Sequence, residues 1–256
     1  MAKSLVTLVR SLKVKRGRER RGLALAEGVR LVEEVLEARV PVKGVVYSPA
    51  LETTPRGRAL KTALASQGVP LGEVAEKTLD ELADTEHPQG IVAVVEPRAW
   101  KLEDLSLPPR SLVLVLDGVQ DPGNVGAMLR TAHALGAAGA VALKGTADPT
   151  NPKVLRSSMG AIFHFPVVAA EDATFLAWVK QRGLELLVAE AAGAPISGTP
   201  RPGPIALVMG NEGAGIRPAM AKAAAGRVAI PMPGGAESLN VAVAAGILLW
   251  EMLRES

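Results

Sequence analysis

The sequence predicts an α/β protein built on a mostly parallel sheet and preceded by a smaller α/β domain. Three observations lead there. Ser111–Leu116 is a continuous apolar run, the pattern of a strand buried on both faces. Further short apolar runs follow it in alternation with helical segments, as parallel strands joined by crossover helices do. A stretch with three prolines, Pro97–Pro109, separates this half from the first and reads as a linker. The chain has 256 residues, 48% of them hydrophobic and 21% charged, which suits one or two domains with a proper core.

In the first half, residues 4–13 have helical spacing, with Leu5, Leu8, Val9 and Leu12 on one face. Arg16–Arg21 reads as a basic turn. Leu23–Ala26 is a short strand, Gly28–Ala38 an acidic amphipathic helix and Val42–Ser48 a strand. Pro55–Gln67 is a helix closed by Gly68 at a C-cap position. Val69–Leu71 is extended, Thr78–Ala83 a helical turn and Gly90–Glu96 a strand. The boundaries that follow are 1–97 for the first domain, 98–110 for the linker and 111–256 for the second domain. In the second, helices are expected at Asn124–Leu135, Asn151–Ser158, Asp172–Arg182 and Leu239–Arg254. Strands are expected at Ala138–Leu143, Phe165–Val168, Leu184–Ala189, Ile205–Met209 and Arg227–Ile230.

Composition excludes several classes. The chain has no cysteine, so a disulfide scaffold, a thiolate nucleophile, an iron–sulfur cluster and a Cys-based zinc site are ruled out. The histidines, His87, His133 and His164, are scattered without metal-ligand spacing, so no metal is expected. The longest strongly apolar stretch, Val241–Trp250, is half the ~20 residues of a membrane span. No secretory signal is visible, and the expected location is the cytoplasm. Charge is uneven. Residues 1–110 carry 18 Lys/Arg against 15 Asp/Glu, while residues 111–256 carry 11 of each. Within the first 21 residues, Lys3, Arg10, Lys13, Lys15, Arg16, Arg18, Arg20 and Arg21 face only Glu19. Such an arm suits a phosphate backbone; a solvated terminus or a basic presequence would look the same.

Ligands of parallel α/β sheets bind at the carboxyl ends of the strands. Three loops there are rich in glycine and small polar residues: Asp117–Gly126, Met209–Gly215 and Pro231–Asn240. Together they suggest a pocket for something flat and polar. No P-loop is present, and Gly213-Ala214-Gly215 is followed by Pro218 where a dinucleotide fingerprint needs a third small residue. None of Ser157, Ser158, Ser197 and Ser238 lies in a nucleophile elbow. The polar residues left for chemistry are Asn124, Arg130, Asn211, Glu212, Ser238 and Asn240.

Asn124–Ala132 (Asn-Val-Gly-Ala-Met-Leu-Arg-Thr-Ala) resembles the first motif of the SpoU (TrmH-like) RNA ribose 2′-O-methyltransferases. Leu207–Gly213 resembles their second motif, and Ile230-Pro231-Met232 with Ser238–Ala244 their third. The stretch between Pro231 and Ser238 varies in the family and here reads Pro233-Gly234-Gly235. In the first domain, Ala26–Glu33 and His87–Val94 are similar to the L30e-like substrate-binding domain often fused ahead of such enzymes. The resemblance implies a deep trefoil knot, S-adenosylmethionine as cofactor and a homodimer. It implies cofactor contacts from Met209, Gly210, Asn211, Ile230, Met232 and Leu239. It makes Asn124, Arg130, Glu212, Ser238 and Asn240 catalytic, and RNA is the substrate, held in part by Lys13, Lys15, Arg16, Arg18, Arg20 and Arg21.

Each site residue has a plainer reading. Asn124, Glu212, Ser238 and Asn240 could be helix caps, and Arg130 a surface arginine. Two roles stay open for Arg130: a strongly perturbed base, or a cation stabilising the developing alkoxide or gripping a phosphate. The leading function is methylation of a ribose 2′-hydroxyl in 23S ribosomal RNA. The alternatives are a tRNA ribose methyltransferase, a non-catalytic RNA-binding protein and a nucleotide-binding enzyme of ordinary doubly wound fold.

Overall fold

A computed structural model describes residues 2–86, 88–196 and 203–254. Its contacts divide the chain into two compact units. One takes the chain as far as Ala99 together with Thr150–Phe163; the other takes Trp100–Pro149 and the chain from His164 on.

The first unit contains helices α1 (Ala2–Leu12), α2 (Lys15–Arg21), α3 (Val29–Glu37), α4 (Pro55–Ser66) and α5 (Glu76–Leu82), with strands β1 (Ala24–Glu27), β2 (Val42–Tyr47), β3 (Leu71–Glu73) and β4 (Ile91–Val95). The sheet order is β1-β4-β2-β3, antiparallel except for the parallel β2/β3 pair. Helix α1 lays Leu5, Val9 and Leu12 on this sheet, where they pack with Leu25, Val46, Val92 and Val94. The approach depends on a bare backbone, since a Cβ on Gly44 would stand 2.5 Å from Leu5 Cδ2.

One expectation fails here. The basic stretch 16–21 is not a turn but the helix α2, running from Lys15 and ended by Gly22 at φ 63°. The segment KRGRERR has no apolar stripe to reveal it. The helix is held instead by Arg18, whose side chain folds inward, is buried, and donates to the carbonyls of Leu12 (3.1 Å) and Lys13 (3.0 Å). Those carbonyls close α1 and would otherwise lack partners.

The second unit contains β5 (Leu112–Asp117), α6 (Pro122–Ala134), β6 (Gly139–Ala142), β7 (Val167–Ala169), α8 (Asp172–Arg182), β8 (Glu185–Pro195), β9 (Ile205–Gly210), α9 (Pro218–Ala223), β10 (Gly226–Ala229) and α10 (Val241–Leu253). The intervening α7 (Pro152–Ser157) belongs to the first unit. Six strands form an all-parallel sheet in the order β10-β8-β9-β5-β6-β7. Every residue of β5 is buried, as the apolar run Leu112–Leu116 requires, and Asp117 is buried at its end. One face packs Phe175, Trp178 and Val179 of α8 against Val113, Val115, Val188 and Val208. Helices α6 and α10 pack on each other, with Thr131 Cγ2 3.7 Å from the place a Cβ would take on Gly246.

The strand order sets the position of the site. From β5 the chain runs outward to β6 and β7 on one side, and β9, β8 and β10 lie on the other. The order thus reverses between β5 and β9, where a ligand site is expected in such sheets. Strand β8 is longer than its apolar run indicates. Its pairing with β10 jumps from Arg227↔Val188 to Val228↔Ala194, so residues 189–193 bulge out of the ladder.

Candidate active site

A cavity of about 430 Å³ lies at the carboxyl ends of β8, β9 and β10, within the size range of small-molecule sites. Met209, Gly210, Asn211, Ile230, Met232 and Leu239 all line it, so the six residues expected to hold a cofactor surround one space. Glu212, Ser238 and Asn240 line it too. Sequence reasoning missed the contribution of Ala189, Glu190 and Ala191, which the bulge in β8 carries to the wall. Ala-Ala-Gly-Ala-Pro offers no apolar alternation, and this segment reads as loop.

One wall is made by a tight backbone turn. Asn211 N–H donates to the Gly215 carbonyl (2.9 Å) and Gly215 N–H to the Asn211 carbonyl (3.0 Å). The Asn211 side chain accepts from Gly213 (2.9 Å) and Ala214 (2.8 Å) and donates to the Gly118 carbonyl (2.8 Å). It thus closes its own loop and ties that loop to the one after β5. A Cβ at Gly210 would fall 2.5 Å from the Gly215 carbonyl carbon, so only glycine admits this turn.

A chain of polar side chains joins the three loops. Asn124 Nδ2 donates to Glu212 Oε1 at 3.0 Å, and Asn240 Nδ2 donates to Asn124 Oδ1 at 3.0 Å. Glu212 also accepts the backbone N–H groups of Gln120 (3.2 Å) and Asp121 (3.3 Å). Burial disfavours the Glu212 carboxylate, but the hydrogen bonds from Asn124 and from backbone groups outweigh it and hold its pKa below the ordinary carboxylate value. Glu212 is therefore ionised at neutral pH and faces no cationic side chain in this network.

The capping readings divide. Asn240 is a true N-cap, its Oδ1 accepting from Ala242 (2.9 Å) and Val243 (3.3 Å), and it reaches Asn124 as well. Asn124 is not the cap of α6. That helix starts two residues earlier, at Pro122, and Asp121 Oδ1 accepts from Asn124 N–H at 2.8 Å. The cap being supplied by Asp121, the Asn124 amide is left for the loops. Glu212 does not cap α9 either, which begins only at Pro218 after Arg217.

Arg130 lies on α6 with Asn124, exposed to solvent, and does not line the cavity. Its guanidinium has no acceptor among the described residues. Ser238 lines the cavity and is exposed. An ion network that no spacing announces supports the site from below. Asp117, fully buried at the end of β5, accepts from Arg217 Nε (2.5 Å) and Arg217 N–H (2.7 Å). The other two guanidinium nitrogens grip Asp172 at 2.9 and 2.7 Å. Arg217 thereby anchors the far end of the loop that carries Gly210–Gly215.

Of the arm residues, Lys15, Arg16, Arg20 and Arg21 are exposed on α2. Lys13 is engaged by the carbonyls of Glu81 and Ala83, both at 3.2 Å, and by Asp84 at 3.3 Å. Arg18 is turned inward, as described above, and offers nothing to a ligand. Among the described residues no His/Asp/Glu cluster could hold a metal, and no helix is long and apolar enough to cross a membrane. His87 and Ser197 lie outside the described residues.

Two family matches cover most of the chain, and the second along the chain runs through Thr150–Phe163, which packs with the first unit. Residues 3–93 match the MRM3-like substrate binding domain. The chain is 36% identical to the 23S rRNA (guanosine(2553)-2′-O)-methyltransferase RlmP of Bacillus subtilis, over 95% of this chain and 93% of that protein. The crystal structure of the SpoU methyltransferase AviRb from Streptomyces viridochromogenes in complex with AdoMet superposes with a TM-score of 0.86 at 30% identity, covering 97% of this chain and 96% of the other. The AdoMet-bound rRNA methyltransferase of Sinorhizobium meliloti gives 0.84 at 31%, covering 97% and 93%. Residues 111–250 match the SpoU rRNA Methylase family, and with relatives this similar over nearly its whole length the chain belongs to that family.

Proposed function

We propose that the protein methylates a ribose 2′-hydroxyl of 23S ribosomal RNA, using S-adenosylmethionine held in the cavity at the ends of β8, β9 and β10. The observation that carries the reading is the linked set Asn240–Asn124–Glu212, which fastens all three loops around a cavity of cofactor size. Names of full-length relatives support the substrate, among them the RlmP protein above. The donor set fits the cofactor. Met209, Ile230, Leu239 and Leu248 offer apolar walls, the backbone of the glycine loops offers donors and acceptors, and Glu212 and Glu237 favour a cation.

When bound, the cofactor supplies an electrophilic methyl group without need of a metal. The chain's own work is positioning and electrostatics. Glu212 and Asn124 order the loop that opens α6, and Asn240 ties the start of α10 to it. Arg130, uncommitted on the same helix as Asn124, is proposed to act on the ribose hydroxyl or its adjoining phosphate. The first unit, with Lys15, Arg16, Arg20 and Arg21 on α2, is proposed to hold the RNA.

The proposed assembly is a homodimer. Val243, Ile247 and Trp250 are exposed at helical spacing along α10, leaving 58% of Trp250 uncovered, and such a stripe favours an apolar partner. The trefoil knot of the family is proposed for the path that leaves β10 at the sheet edge and returns to pack α10 on α6.

The test is single-turnover methyl transfer to 23S rRNA with Arg130→Ala. Transfer at saturating RNA should fall by orders of magnitude while cofactor affinity and melting temperature stay near wild type, because an interaction made in the transition state affects turnover rather than binding. Arg130→Lys should not restore it, lacking the planar fork. A near-normal rate in Arg130→Ala would remove Arg130 from catalysis.

A further inference from the structure

The first unit contains a second cavity, of about 230 Å³, whose lining residues all belong to that unit. Glu27 lines it and is itself consumed by structure. It is buried and accepts from the backbone of Asp84 (2.8 Å) and Thr85 (3.2 Å), from the Thr85 hydroxyl and from Arg156 Nη1 (3.2 Å). Other groups at the cavity are not consumed. Arg30, on the first turn of α3, is exposed and its guanidinium has no acceptor among the described residues. Gln89 uses its Oε1 to accept from Val29 N–H (2.8 Å), which leaves its amide hydrogens without a partner among the described residues.

The rim carries an apolar side chain in a costly place. Met159 is 38% exposed and sits at φ 49°, a left-handed conformation that side chains other than Gly, Asn and Asp rarely adopt. The turn is held there by Gly160, whose bare Cα packs on Glu34 of α3 so closely that a Cβ would lie 2.6 Å from Glu34 Cβ. An exposed methionine kept in a strained turn at the mouth of a cavity does nothing for the core.

We propose that this cavity is a subsite for one unpaired nucleotide of the RNA. Met159 and Leu31 offer soft apolar faces to a base, the Gln89 amide meets a base edge, and Arg30 takes the adjoining phosphate. The surroundings favour nucleic acid over another class of partner. Arg18 of α2 donates from Nε to Thr150 Oγ1 at 3.3 Å, just before α7, and α7 supplies Arg156 to the cavity and leads directly into Met159. A helix of six residues is ~9 Å long. The exposed Arg16, Arg20 and Arg21 and the cavity are thus placed along one short segment, within a few nucleotides of a single strand.

The proposal rests on the reading of the chain as an RNA methyltransferase, and the test separates the two. The full-length protein is assayed on a 23S rRNA transcript with Met159→Gly and, separately, Arg30→Ala. Glycine relieves the backbone strain, so Met159→Gly should melt no lower than wild type. It should nevertheless bind the transcript about ten-fold more weakly, a typical loss for one base contact. Arg30→Ala, altering an exposed side chain, should weaken binding about as much and flatten its salt dependence. In both, single-turnover transfer at saturating RNA and cofactor affinity should stay within about two-fold of wild type. Irradiation of a 4-thiouridine-substituted transcript on the wild-type protein should label the tryptic peptide that begins at Ser157, a readout independent of methyl transfer. Labelling there without any methyl transfer would keep the subsite and sink the enzymatic reading. Methyl transfer with both variants at wild-type RNA affinity and no labelled peptide would sink the subsite and keep the enzyme.

Discussion

Two glutamates, one in each unit, are held in nearly the same way and end in opposite states. Glu27 accepts two backbone N–H groups, a hydroxyl and an arginine; Glu212 accepts two backbone N–H groups and an asparagine amide. The difference is the last donor. Arg156 cancels the charge of Glu27, which is buried and spent. The Asn124 amide orders Glu212 but leaves its charge intact, and Glu212 is exposed on the wall of the larger cavity. A carboxylate fixed by neutral donors is oriented and still attracts a cation, whereas one fixed by arginine is a structural rivet. Asp117 belongs with Glu27, since it is wholly buried and closed by Arg217.

The comparison can be broken at its rivets, where effects should be largest. Arg217→Ala leaves the buried Asp117 carboxylate without its counter-charge, with only the backbone N–H of residue 217, and also frees Asp172, so a loss of about 3 kcal/mol is expected. Chemical denaturation should show it, and cofactor binding should fail as the Gly210–Gly215 loop loses its anchor. A variant that unfolds at the wild-type midpoint would mean that Asp117 finds another partner. Next comes Glu27→Gln. Its partner Arg156 keeps some solvent, with 24% of its side chain exposed, so a smaller loss of about 2 kcal/mol is expected. Cofactor affinity, measured by calorimetry, should barely change, because Glu27 does not line the larger cavity. A large loss of affinity here would show that the rivet in the first unit reaches the chemistry after all.

How much of this was legible beforehand follows from the kind of signal each feature leaves. The central strands could be read because Leu112–Leu116 and Ile205–Met209 are unbroken apolar runs and sit side by side in the sheet. Helix α2 could not, since its stability comes from Arg18 turning inward and from Gly22, not from an apolar face. The bulge in β8 also left no pattern, because small residues with a glycine and a proline read as loop whether or not they line a cavity. Asn124, Glu212 and Asn240 were visible singly, from motifs. Their mutual bonds span 88 and 116 residues, distances over which periodicity says nothing. Asp117, Asp172 and Arg217 were invisible for the same reason and belong to none of the recognised motif residues.

The smallest effect on stability, and the sharpest test of the comparison, is expected from Glu212→Gln. The side chain is exposed, and the new amide NH2 would face one N–H donor, so replacing one oxygen should cost about one hydrogen bond, roughly 1 kcal/mol, at pH 7. Binding should respond too. Removing one negative charge a few ångströms from a cationic cofactor in a half-open cavity is worth on the order of 1 kcal/mol, or roughly five-fold in affinity. The sign of the pH dependence follows from the lowered pKa. The folded-state value lies below the ordinary 4.5, so the stabilisation from this group is fully present above that value and is lost as pH falls through the lower one. Between pH 5 and 8 the gap in cofactor affinity between wild type and variant should therefore stay constant, and it should close only in more acid solution. Calorimetry across that range reads both quantities. A gap that narrows on going from pH 8 to pH 6 would mean that Glu212 takes up a proton near neutrality. A melting temperature as low as that of Glu27→Gln would show that Glu212 is a rivet as well.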